Sequence, residues 1–180
     1  MANIEEQIAD SFERHFNHHG FKKTSVEDVA KELKISKKTI YKTFDSKERI
    51  YYFIIKRIAK KYCQDMTKKL ANEPSVLTKF ANLITQIFVT SRKWIKTGND
   101  AFEFKYKYEI SEIAFQDAYS DLFNELLQKG IASGELTIDN VELTTNFIKG
   151  IISEAMKILH VTPELEIEAD VIKSVKKLIQ

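Results

Sequence analysis

The sequence predicts an all-α protein, and three observations point to that fold class. Only five Gly and two Pro occur among 180 residues, too few turn-formers for the many short loops of an all-β fold. Apolar residues recur three and four positions apart along most of the chain, which is the spacing of one face of an α-helix. Residues that cap helix starts precede several of these stripes. We expect about nine helices.

The amino-terminal quarter predicts three helices in quick succession. The first is expected over about residues 3–18, where every fourth residue is apolar, and Gly20 can adopt the left-handed conformation that ends it. Ser25 is placed to cap a second helix and Ser36 a third. Only residues 34–35 separate these two helices, so the sequence predicts a helix-turn-helix.

The rest of the chain predicts longer helices. A fourth begins at Asp45 or Ser46 and keeps its apolar spacing until residues 72–74, and a fifth follows Pro74. We place the boundary within the fourth helix, which gives a three-helix head over residues 1–47 and a helical body over residues 48–180. The later helices are expected over about residues 111–132, 139–160 and 164–179.

Residues 101–110 carry a pattern that does not favour one structure. Aromatic or apolar residues occupy every second position, which is the periodicity of a strand. A single strand would have no partner elsewhere in the chain, and an isolated strand is not stable. We therefore expect a short helix or an irregular segment here.

The composition limits the class of protein. Apolar residues make up 43% and charged residues 30%, as in soluble globular proteins. The apolar runs are shorter than the roughly 18 residues that a membrane helix needs, and the acidic amino terminus does not resemble a signal peptide. The lone Cys63 excludes an internal disulfide. We expect a cytoplasmic protein with no membrane partner.

Positive charge is concentrated near the amino end. Residues 1–70 carry 16 Lys and Arg against 10 Asp and Glu, whereas residues 71–180 carry 12 against 16. Between Lys34 and Arg49, six bases face two acids. A polyanion would be attracted to this end of the chain. Composition alone supports a solvated lysine surface equally well.

The segment Thr24–Ile54 resembles the DNA-binding domain of the TetR family of transcriptional regulators. The resemblance implies a homodimer that binds a pseudo-palindromic operator in double-stranded DNA through the third helix, and a body that binds a small effector. Lys38 and Thr43 depart from the usual family pattern, which leaves the operator sequence open. The matching residues are Thr24-Ser25-Val26, Asp28-Val29-Ala30, Ile35-Ser36, Thr39-Ile40-Tyr41, Phe44 and Ser46-Lys47-Glu48.

The third helix has the chemistry that a duplex groove requires. Lys37 and Lys38 can reach phosphates or guanine acceptors, and Thr39 can contact a base edge. The Tyr41 hydroxyl can bind a phosphate, although its ring can equally be a packing residue. Lys47 resembles the family's phosphate-binding lysine. Three of the candidates also act as helix caps. The predicted DNA-binding residues are Thr24, Ser25, Ser36, Lys37, Lys38, Thr39, Tyr41, Lys42 and Lys47.

Two sets of body residues are candidates for binding. Wide apolar stripes on the last two helices favour a dimer interface, although they can also face the chain's own core. An aromatic neighbourhood favours a small, largely apolar effector, although ordinary core packing explains it as well. The interface set is Phe147, Ile148, Ile151, Ile152, Ala155, Met156, Leu159, Val171, Val175 and Leu178. The effector set is Phe88, Trp94, Phe102, Phe104, Tyr106, Tyr108, Phe115 and Tyr119.

Catalysis has little support in the sequence. His15 and His19 lie four apart on one helix without a further metal ligand in sight, and Cys63 has no evident His or Asn partner. We expect no catalytic residue, no metal and no cofactor. The expected function is a ligand-responsive transcriptional repressor. Two alternatives stay open: the same kind of regulator controlled by a protein partner, and a helical ligand-binding protein that has lost DNA binding.

Overall fold

The computed structural model describes residues 3–97 and 101–180, with side chains at 3–93 and 109–180. Every regular element of this part of the chain is an α-helix, which confirms the all-α prediction. None of the described helices is long and apolar enough to cross a membrane. The helices are α1 Ile4–His19, α2 Val26–Glu32, α3 Lys37–Thr43, α4 Lys47–Lys69, α5 Val76–Thr97, α6 Ala101–Ala132, α7 Val141–Val161 and α8 Glu168–Ile179.

The described residues form eight helices rather than about nine, because residues 101–110 continue into α6. This segment is neither a separate short helix nor irregular. It forms the start of a 32-residue helix, in which each N–H beyond the first turn donates to a carbonyl one turn away. A strand would have needed a neighbour to satisfy the same groups.

The chain divides into two compact units. The first unit comprises Met1–Lys60 and Asp100–Phe115. Its core brings together side chains from five helices, and full burial of one such side chain contributes about 1.5–3 kcal/mol. The fully buried apolar members include Ile8, Phe12, Val29, Ile40, Ile50 and Ala114.

The second unit comprises Lys61–Asn99 and Gln116–Gln180. Phe80, Leu127 and Val175 are fully buried in it. Glu135, from the loop before α7, accepts hydrogen bonds from the backbone N–H groups of Val76 (2.8 Å) and Leu77 (3.0 Å) and so caps α5. These two bonds hold the pKa of Glu135 below its ordinary value.

Two helices end in the same hydrogen-bonded turn with different residues at the critical position. After α2, Ile35 N–H donates to the Ala30 carbonyl (3.0 Å), and Lys34 lies between them at φ 55°. After α6, Glu135 N–H donates to the Gly130 carbonyl (2.9 Å), and Gly134 lies there at φ 74°. This is the Schellman arrangement, which requires left-handed backbone at that position. Glycine adopts it readily, whereas lysine does not.

Candidate nucleic-acid interface

Two serine caps and one buried isoleucine fix α3 against α2. Ser25 Oγ accepts from the backbone N–H of Glu27 (3.0 Å), and Ser36 Oγ accepts from that of Thr39 (3.0 Å). Ile40 is fully buried. Because the caps satisfy orphan donors at both helix starts and Ile40 anchors the short helix, the outward face of α3 is held in place. The capping predictions for Ser25 and Ser36 are confirmed, whereas that for Thr24 is wrong, because Ser25 is the N-cap of α2.

The outward face of α3 is cationic. Lys37, Lys38 and Lys42 are exposed, and the Tyr41 ring between them is 48% exposed. Thr39 is partly exposed, and its hydroxyl forms a hydrogen bond with Ser36 Oγ (2.9 Å). Three ammonium groups and one phenol on a seven-residue helix provide the donors that phosphates and base edges accept.

Lys37 has a partner that sequence reasoning did not anticipate. Its ammonium donates to the carboxylate of Glu27, in the first turn of α2. The hydrogen bond and the charge of Lys37 lower the pKa of Glu27. The ten-residue separation crosses the α2–α3 turn, so neither helical spacing nor composition indicates this pair.

Thr24 and Lys47 are occupied within the first unit. Thr24 is only 3% exposed, and its hydroxyl donates to the Gly20 carbonyl (2.8 Å). The Lys47 ammonium donates to the Phe21 carbonyl and lies 4.4 Å from the centre of the Phe21 ring, a cation–π contact. Both side chains therefore stabilise the turn between α1 and α2, whatever they contribute to DNA binding.

Arg57 of α4 is a further feature that the sequence did not reveal. Its guanidinium donates to Glu6 (2.6 Å), Asp10 (2.6 Å) and Glu13 (2.5 Å), which follow one another along one face of α1. These hydrogen bonds raise the pKa of Arg57, against the opposing effect of its partial burial. The cluster joins α1 to α4 within the first unit.

Residues 8–51 match the family model described as bacterial regulatory proteins, tetR family. The head belongs to the tetR family. The match extends from α1 through α3 into α4, so it includes both capped helices and the cationic face. A comparison with curated proteins finds no match to the chain.

The whole chain resembles solved structures of regulators at low sequence identity. FadR from Bacillus subtilis, solved with stearoyl-CoA, is 20% identical with a TM-score of 0.56, over 94% of this chain and 96% of that one. FadR from Thermus thermophilus, a TetR-family repressor solved with lauroyl-CoA, is 16% identical with a TM-score of 0.68, over 97% and 92%. RolR with resorcinol is 11% identical with a TM-score of 0.68, over 97% and 86%. The chain has the fold of TetR-family DNA-binding regulators.

The last two helices direct most of the predicted interface residues inward. Phe147 is 53% exposed, and Ile151, Met156 and Leu178 are partly exposed. The other six are buried within the chain itself: Ile148, Ile152, Ala155, Leu159, Val171 and Val175.

A second apolar stripe on α7 was missed by sequence reasoning. Leu143 (48%), Ile158 (40%) and Val161 (84%) are exposed on the same face as Phe147. Their spacings of 4, 11 and 3 residues are close to whole turns of a helix, which is the signal that could have identified them. Gly150 lies within this face, and a Cβ added there would meet no atom within 4 Å.

The structure describes the side chains of three predicted effector residues, and these belong to two different units. Phe88 and Tyr119 are buried in the second unit, whereas Phe115 packs against the core of the first. Burial raises the pKa of Tyr119 well above its ordinary value. The side chains of the remaining members lie outside the described residues: Trp94, Phe102, Phe104, Tyr106 and Tyr108.

A cavity of about 380 Å³ lies between α6 and α7. Seven of its eight lining residues are polar. Thr145 Oγ1 donates to Asn124 Oδ1 (2.5 Å), and Lys149 Nζ donates to Ser120 Oγ (2.9 Å). This lining differs from the apolar surroundings expected for the effector. Elsewhere in the body, burial raises the pKa of the Cys63 thiol to about 12. Among residues 3–93 and 109–180, no group of His, Cys, Asp and Glu is arranged to hold a metal ion.

Proposed function

We propose that this protein is a sequence-specific transcriptional repressor whose homodimer binds a pseudo-palindromic operator and releases it when a small, largely apolar effector binds. The observation that carries the proposal is the cationic face of α3, presented by two capped helices within a TetR-type head. The dipole of a helix start and three exposed lysines both favour phosphate at this place.

The contacts that we assign to DNA divide into two groups. Lys37, Lys38, Tyr41 and Lys42 are exposed on α3 and can reach phosphates, while Thr39 is near enough to the helix start to reach a base edge. Ser25 and Ser36 serve first as caps, and any contact with the sugar–phosphate backbone is additional. We retain residues 1–47 as the proposed DNA-binding domain.

DNA binding is tested without knowing the operator. Duplexes selected from a random pool are titrated with the protein at several salt concentrations, and log K is plotted against log salt. Each lost phosphate contact should reduce the slope by about 0.9. We expect a loss of about one unit per protomer for Lys38→Ala, and no change for the charge-matched control Lys173→Ala, at an exposed position of α8. Wild-type protein with no salt-sensitive association would contradict the proposal.

We place the dimer interface on the exposed stripe of α7. Gly150→Leu tests it sharply, because the added side chain meets open space within the chain and leucine favours helix more than glycine does. The variant should therefore fold, yet sediment as a monomer if a second α7 packs closely against residue 150. Ala132→Leu adds apolar bulk at an exposed position of α6 and serves as the control. An unchanged dimer in Gly150→Leu would place the interface elsewhere.

The effector proposal rests on resemblance of fold and on the aromatic composition of the body. Structures of similar fold were solved with lauroyl-CoA and with resorcinol, so these two compounds are suitable first probes. A preformed protein–DNA complex is titrated with each, and loss of fluorescence anisotropy of the DNA reports release. Binding of a probe to the protein without release of DNA would contradict effector control and favour regulation by a protein partner.

A further inference from the structure

The first turn of α2 places a carboxylate against the first cation of α3. Glu27 and Lys37 form an ion pair across the α2–α3 turn, and their side chains are 63% and 52% exposed. Ser25 fixes the backbone of Glu27, and Ser36 fixes the start of the helix that Lys37 begins. The two side chains therefore meet from anchored positions.

The two helix starts make this pairing favourable for opposite reasons. The amino end of a helix has a partial positive charge, which stabilises Glu27 at the start of α2 and disfavours Lys37 at the start of α3. Lys37 therefore needs a nearby anion. In the protein without DNA, Glu27 is that anion, since its carboxylate accepts a hydrogen bond from the Lys37 ammonium.

We propose that Glu27 competes with DNA phosphate for the Lys37 ammonium and so sets the affinity of the head for DNA. The inference rests on the proposed function, since it assigns a role to a residue beside the proposed contact surface. Glu27 is a positioning residue: it acts through Lys37 and needs no contact with DNA. Because the competition concerns a phosphate, it should affect specific and random duplexes to the same degree.

The size of the effect follows from the exposure of the pair. Exposed ion pairs change an equilibrium by about 1.4- to 5-fold at 25 °C. Two pairs in a dimer would then change the affinity by about 2- to 25-fold. Glu27→Gln removes the charge but keeps the length of the side chain. It also keeps the backbone N–H of residue 27, which donates to Ser25 Oγ.

The experiment compares Glu27→Gln with Asp28→Asn. Asp28 is exposed in the same turn and has the same formal charge, so both variants raise the formal net charge by one per chain. Among the described residues, the ion pair of Lys37 is with Glu27. We expect Glu27→Gln to bind selected duplexes about 2- to 25-fold more tightly than Asp28→Asn, with a salt slope steeper by up to about 0.9 per protomer.

A double-mutant cycle separates this competition from general repulsion. In a Lys37→Gln background, the difference between Glu27→Gln and Asp28→Asn should disappear. A difference that persists there, or equal affinities in the native background, would overturn the inference while leaving the proposed function intact. Wild-type protein that shows no salt-sensitive binding would overturn both. Far-UV circular dichroism verifies that each variant keeps its helices.

Discussion

The turn between α2 and α3 has a lysine at a position that favours glycine. Lys34 has φ 55°, and the Schellman turn that it occupies repeats at the end of α6 with Gly134 at φ 74°. We predict that Lys34→Gly stabilises the head. The two turns have the same hydrogen bonds, so one is an internal reference for the other.

The magnitude follows from two opposing backbone effects. Left-handed backbone costs a residue other than glycine about 1–2 kcal/mol. Glycine in turn loses about 0.5–1 kcal/mol more conformational freedom when the chain folds. When both effects are taken at the same end of their ranges, the net gain for Lys34→Gly is about 0.5–1 kcal/mol. Gly134→Ala should lower the free energy of unfolding by a similar amount. Backbone strain alone would cause this loss, because a Cβ added at Gly134 meets no atom within 4 Å.

The assay is amide hydrogen exchange of α2 and α3, which reports opening of the head separately from the body. A gain of 0.5–1 kcal/mol slows exchange by about 2- to 5-fold. Lys34→Ala is the matched control, since it removes the same charge without relieving the backbone. Exchange in Lys34→Gly as fast as in Lys34→Ala, or faster, would refute the reasoning.

Two further predictions concern the body. Glu135→Gln should lower the free energy of unfolding by about 1 kcal/mol, as loss of a helix cap does. Urea unfolding at pH 7, followed by circular dichroism, measures this change. Since hydrogen bonds from Val76 and Leu77 lower the pKa of Glu135, its contribution is complete above the unfolded pKa of about 4.3 and is lost as pH falls through the folded value. The wild type should then lose more stability than Glu135→Gln in acid, and parallel pH curves would contradict this. Burial raises the pKa of Cys63 to about 12, and the thiolate is the form that reacts. At pH 8, Cys63 of the folded protein should therefore react with a thiol reagent at least about 100-fold more slowly than Cys63 of the urea-unfolded chain. Similar rates in the two states would show that the site opens readily.

The head could be predicted from the sequence because its signals are local. The caps at Ser25 and Ser36 and the positive φ at Gly20 each follow from a residue and its near neighbours. Such signals determine where a helix begins, ends and turns its apolar face. The fold class and the face of α3 both depend on them.

The contacts between elements could not be predicted in the same way. Lys37 pairs with Glu27, and Lys47 turns to Phe21, because long flexible side chains find partners that only the packed helices bring near. Residues 101–110 show a different limit: their alternation is typical of a strand, but no partner strand exists in the described chain and helical hydrogen bonds prevail. The periodicity of a sequence reflects its side chains, whereas the hydrogen bonds of the backbone made residues 101–110 helical.

The Arg57 cluster makes the first unit unequally tolerant of substitution. One guanidinium serves three acids, so replacing any single acid leaves two others to hold it. The acids are redundant, and the arginine is not. Loss of the arginine would leave three neighbouring acids without their shared cation. The acidic positions of α1 should therefore tolerate substitution, whereas position 57 of α4 should not.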